Sequence, residues 1–167
     1  MGSEFIPQLD EGDFAVETRV PVGSSIDKMT NGAQQAKNIV LNGYPDEVSQ
    51  VVNKIGSGEI PTDPMPIEAG DMMVILTPKD EWTKAEDREG LIAEMQESLS
   101  VIPNATFSFQ QPIQMRFNEL LTGAKQDVVL KIYGEDLSTL SDLANEVGQK
   151  IGSVEGVNDL YVEEITG

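Results

Sequence analysis

DFAVETRV, residues 13–20, alternates without a break. Phe14, Val16, Thr18 and Val20 fall on one side, and Ala15, Glu17 and Arg19 on the other. That two-residue period marks a half-buried strand. Pro21 ends it, and Gly23, Ser24 and Ser25 lead into a helix, with Ser24 or Ser25 placed to cap the first turn. Ile26, Met29, Ala33, Ala36 and Val40 recur at helical spacing, and Gly43 stops the run. Residues 48–55 read as a second strand and 56–58 as a turn. A loop at 60–70 carries Pro61, Pro64 and Pro66 in quick succession. Residues 71–77 are apolar on both faces, which predicts a central strand. Residues 86–100 predict a second helix with Ile92, Met95, Leu99 and Ile102 as its stripe, and 105–110 a fourth strand. The order strand-helix-strand-strand-helix-strand is the split β-α-β, ferredoxin-like arrangement, an α+β sandwich with both helices on one face of an antiparallel sheet.

The pattern then begins again and stops halfway. After Pro112, residues 113–121 predict a short helix ended by Gly123. Residues 128–133 read as a strand, 137–151 as a helix and 157–163 as a strand. Leu140, Ala144, Val147 and Ile151 form the helix stripe, and Asp136 or Ser138 is placed to cap it. Strand-helix-strand is half of a second ferredoxin-like unit. Its sheet edge is left with unpaired backbone groups, which predicts self-association through the incomplete sheet.

Composition narrows the function. The 167 residues suffice for one domain or two small ones. A formal net charge of −18 repels phosphate backbones, so no nucleic-acid partner is expected, and an anionic membrane surface is disfavoured. The same charge favours cations. The chain has no Cys and no His, so disulfides, thiolate zinc sites and imidazole ligands are excluded, along with the usual general base. A bound metal must use oxygen ligands or Met thioethers. No phosphate-binding glycine series and no distinctive acid/base pair occurs, so no enzyme and no cofactor is expected. No apolar run approaches the roughly 20 residues of a membrane helix. Glu4 and Asp10 interrupt any secretory signal core, so the chain alone is expected to stay in the cytosol.

GSEFIPQLDEGDF, residues 2–14, resembles the segment after the seventh transmembrane helix in heavy-metal efflux pumps of the resistance–nodulation–division superfamily. QMRFNELLTGAKQDV, residues 114–128, repeats the resemblance independently. TDPMPIE (62–68), MMVILTPKDEW (72–82) and DVVLKIYGEDL (127–137) extend it less specifically. The resemblance implies a membrane-exit segment at 1–12, a first porter subdomain at 13–112, a connecting helix at 113–125 and an incomplete second subdomain at 126–167, where a docking insertion interrupts the sheet. It implies the periplasmic part of an inner-membrane protein, delivered by upstream membrane helices. The implied partners are the rest of the same polypeptide, a homotrimer in the full pump, a periplasmic adaptor and an outer-membrane channel.

Copper and silver members of that family hold the ion in a cleft with three Met residues. On that pattern Glu17, Ala69 and Glu119 take the three places. Two carboxylates imply a divalent ion, zinc, cobalt, nickel or cadmium, as the transported substrate. Ala69 cannot ligate, so a third ligand must come from elsewhere. Asp71 lies two residues on and points to the same side of its strand, and Glu68 precedes it. The alternatives are a multidrug or copper/silver exporter of the superfamily, or a stand-alone ferredoxin-like ligand-binding module.

Other residues carry bland readings beside sharp ones. Met115 lies one turn before Glu119 and is a packing residue or a soft ligand. Met65, Met72 and Met73 could mark copper, but Met72 and Met73 alternate faces, so one belongs to the core. Phe107 and Phe109 share a strand face, as core pairs do. Asp10, Glu11 and Asp13 lack the spacing of a calcium loop and read as a turn before the first strand. Trp82 is expected to pack on its loop.

Overall fold

The computed structural model describes residues 11–56, 65–126, 128–154, 157 and 160–163. Residues 1–10 of the expected membrane-exit segment and residues 60–64 of the proline-rich loop lie outside the described residues. Two compact units follow one another, the first through Lys125 and the second from Gln126.

The first unit runs β1 (Phe14–Arg19), α1 (Ile26–Gly43), β2 (Val48–Ile55), β3 (Ala69–Leu76), a 3₁₀ turn (Lys79–Glu81), α2 (Arg88–Leu99), β4 (Thr106–Gln110) and α3 (Pro112–Thr122). The sheet order is β2-β3-β1-β4, and every pairing is antiparallel. This is the ferredoxin-like arrangement, with β3 central as its two apolar faces predict. Ser25 caps α1 by accepting from the Lys28 amide. Asp87 caps α2 in the same way through Gly90.

Helices α1 and α2 cover one face of the sheet. Phe14 and Val16 of β1 and Met72 and Val74 of β3 pack there against Ala36 and Val40 of α1 and Leu91, Met95 and Leu99 of α2. The stripe of α2 therefore runs through Leu91, four residues before Met95, and Ile92 is its half-buried flank. Phe107 and Phe109 belong to this core, the latter edge-on to Phe14 with ring centroids 5.7 Å apart. Met72 is buried there too, and Trp82 packs on the cluster while its indole N–H donates to the Thr77 carbonyl.

Strand β1 departs from expectation. Ala15 and Glu17 are buried as well as Phe14 and Val16, so the strand is covered on both faces. The second cover is α3, which packs against β1. Its N-terminus is held by Glu11, whose carboxylate accepts from the Ile113 and Gln114 amides while the Glu11 amide donates to the Gln111 side chain. Its C-terminus stops at Gly123, in the left-handed region at φ 76°. The Glu11–Asp13 turn is thus an anchoring device: Asp13 also accepts from the Leu76 amide.

In the second unit the structured element is α4 (Leu137–Ile151), capped by Asp136 accepting from the Thr139 amide. The predicted strands at 128–133 and 157–163 are not strands among the described residues. A strand exists by virtue of a hydrogen-bonded neighbour, and the residue pattern of a half unit supplies none. The segment at 160–163 instead lies close under α4. A Cβ at Gly148 would stand 2.6 Å from Val162 Cγ2, so glycine is required at that crossing. Leu140, Ala144, Val147 and Ile151 are half-buried, as their spacing predicts.

Candidate metal site

The register of the sheet decides which candidate carboxylates meet. Glu17 of β1 stands directly opposite Asp71 of β3, and on its other side opposite Ser108 of β4. Lys54 of β2 stands opposite Asp71. Lys54, Asp71, Glu17 and Ser108 therefore form one row across the sheet, on the face turned away from α1 and α2. Arg19 pairs with Ala69, so Asp71 and Ala69 share that face, as their spacing predicts.

Two acidic side chains facing each other inside a protein repel, and burial raises the cost unless cations answer them. Both have one. Glu17, with its side chain 6% exposed, accepts from Arg19 Nη2 at 3.0 Å. Asp71, 13% exposed, accepts from Lys125 Nζ at 2.9 and 3.0 Å, one bond to each carboxylate oxygen. Lys125 is itself steered by α3. The Asn118 side chain, buried on that helix, donates to the Lys125 carbonyl, and Gln114 one turn earlier donates to Asn118.

The remaining candidates are engaged elsewhere. Glu119, 29% exposed, receives Arg116 Nη1 at 2.6 Å across one turn of α3. Met115 and Asn118 are the buried residues of that helix, so Met115 packs. Glu68 accepts from the Gly23 amide at 2.9 Å. Among the described residues, no group of three or more His, Cys, Asp or Glu side chains stands close enough to hold a metal ion. What the chain presents is a pair of facing carboxylates bonded to Arg19 and Lys125, with Lys54 opposite Asp71 on the neighbouring strand.

Sequence reading missed Lys125, Asn118 and Glu47. Lys125 and Asn118 act across the gap between α3 and the sheet, which no local spacing reports. Glu47 is fully buried, and one of its oxygens accepts from the Thr83 and Lys84 amides, holding the connection between β3 and α2. A lone Glu after a proline turn gives no sign of that role.

Comparison with known proteins gives the family. A family model described as the AcrB/AcrD/AcrF family matches residues 1–166. Over its whole length the chain is 38% identical to protein HelA of Legionella pneumophila, and 35% identical to the cobalt-zinc-cadmium resistance protein CzcA of Cupriavidus metallidurans. It spans 16% of the length of each. A solved X-ray structure of a heavy metal efflux pump, crystal form I, superposes with a TM-score of 0.85 at 30% identity, over 93% of this chain and 16% of that one. No helix among the described residues is long and apolar enough to cross a membrane.

Proposed function

The chain belongs to the AcrB/AcrD/AcrF family, and from that membership we propose that it is part of the periplasmic porter region of a proton-driven efflux pump for divalent heavy-metal cations. The observation that carries the proposal is the facing pair of buried Glu17 and half-buried Asp71 on one face of the sheet, answered by cations of the same chain. Carboxylate oxygens suit zinc, cobalt, nickel or cadmium better than monovalent copper, which prefers thioether sulfur. The cobalt, zinc and cadmium in the name of one relative agree with that preference. Met72 lies in the core on the opposite face, so the methionines at 72 and 73 make no shared soft site.

In this reading the metal is cargo and no catalytic step occurs. Glu17 and Asp71 hold the ion first. Glu119 joins by leaving Arg116, and Glu68 by leaving the Gly23 amide. The remainder of the polypeptide completes the second sheet, three copies form the pump, and a periplasmic adaptor and outer-membrane channel carry the ion onward.

The test uses the full-length transporter in a metal-sensitive host. Glu17→Ala and Asp71→Asn are each expected to abolish zinc and cobalt resistance at unchanged protein level. Full resistance in both variants would remove the site assignment. Glu119→Ala reports separately whether α3 contributes a ligand.

A further inference from the structure

Resting on that site reading, we propose that Lys125 is the resident counter-cation of the passage. Its ammonium holds Asp71 until a divalent ion takes its place, and it thereby sets which ions enter and how readily they leave. The two Nζ contacts, 2.9 and 3.0 Å to the two oxygens of one carboxylate, put the ammonium on the bisector of that group. That is where a bidentate metal ion would sit. Ammonium and metal therefore exclude one another.

Arg19 and Lys125 are not equivalent. Arg19 is borne by the same strand as its partner Glu17, two residues on, so it moves only with the sheet. Lys125 arrives from beyond the end of α3, on a flexible four-carbon stem that can release one oxygen pair without any strand shifting. Its backbone stays fixed by Asn118 while the ammonium swings.

Charge then decides selectivity. A monovalent ion replacing the ammonium gains nothing in charge and loses its own hydration. A divalent ion doubles the charge facing Glu17 and Asp71, so it can win the exchange. Once the ion is bound, the tethered ammonium remains within reach and competes for the same oxygens, which keeps binding weak enough for release. Conduction through any pore needs that balance.

The experiment titrates the chain with zinc chloride by calorimetry, and follows the Lys125 ammonium by nitrogen-15 NMR. In the wild type, zinc is expected to release the ammonium from Asp71 and erase its protected signal, whereas potassium chloride at equal ionic strength leaves the signal in place. Lys125→Met is expected to tighten zinc binding about tenfold or more by removing the competitor. Lys125→Arg, which keeps the charge, is expected to return the affinity to the wild-type value or below. Lys125→Gln serves in place of Lys125→Met if that variant does not fold. Asp71→Asn is expected to weaken zinc in every background. Zinc affinity unchanged or weakened in Lys125→Met while Asp71→Asn still weakens it would overturn the role of Lys125 and leave the site standing. Displacement of the ammonium by potassium would overturn the selectivity. Zinc binding indifferent to Asp71→Asn would overturn both readings together.

Discussion

The stretch at 14–19 and the stretch at 128–133 are both built from β-branched and aromatic residues around one or two charges, and they meet different fates. The first is clamped between β3 and β4 and covered by helices on both faces. The second forms no ladder, and Val128, Leu130 and Tyr133 stand open to solvent. The composition of a segment sets a preference worth about 1 kcal/mol across the whole strand scale, and neighbours decide whether it is used. The first unit supplies two partner strands and three helices. Among the described residues the second supplies one helix, which covers part of the chain that follows it.

The sharpest way to break this contrast is to cut into each core alike. Phe14→Ala is expected to cost about 3–5 kcal/mol, because a fully enclosed ring is removed from between α2 and the sheet. Val147→Ala in α4 is expected to cost about 1 kcal/mol or less. Urea unfolding followed by Trp82 fluorescence and by helix circular dichroism measures both, and equal losses would erase the distinction. Glu47→Ala comes next, at about 3 kcal/mol, because the Thr83 and Lys84 amides lose a charged acceptor that is itself fully buried. Glu47→Gln keeps an acceptor and is expected to recover more than half of that loss. A Glu47→Ala melting curve that overlays the wild type would disprove the anchoring role. Glu11→Ala is expected to cost about 1 kcal/mol and to speed hydrogen exchange at the Ile113 and Gln114 amides, leaving the amides of α1 unchanged.

The smallest effect belongs to the second unit and depends on pH. The hydrogen bonds from the Thr139 side chain and amide hold the Asp136 carboxyl below its ordinary value of 3.8. A lowered value in the folded state means that the cap contributes fully above pH 3.8 and is lost as the pH falls through the folded value. The protection factor of the Thr139 amide, its exchange rate relative to the intrinsic rate at each pH, is expected to fall over that range in the wild type and to stay constant in Asp136→Ala. The Lys28 amide under the Ser25 cap, which carries no titrating group, is expected to show no such step.

Much of the first unit was legible because its signals are local. The alternation at Phe14–Arg19, the Ser25 cap, the spacing of Met29, Ala33, Ala36 and Val40, and the stop at Gly123 each follow from neighbours in the chain. The second cover over β1 was not legible. Glu17 and Arg19 share the second side of a strand whose alternation predicts burial on one face only, and what covers that side is a helix about 100 residues later. Leu91 was passed over for Ile92 because both fit a helical stripe, and the angle at which α2 meets the sheet chooses between them. The strands expected at 128–133 and 157–163 are absent among the described residues for the opposite reason: their local signal is sound, and no neighbouring strand pairs with them there. In the site, the alternation along β3 correctly put Asp71 on the face of Ala69, and the register then set it opposite Glu17. The cations that hold the pair depend on where α3 ends, which spacing alone does not reveal.

The bonds from Glu11 to the start of α3 join residues 102 apart in sequence. Closing so long a span costs entropy that only an already formed sheet can offset. On a ribosome, residue 11 would wait through the synthesis of the entire sandwich before its partner emerged. The helix that roofs the carboxylate pair is therefore expected to be the last piece of the first unit to settle, leaving the pair open to water until it does.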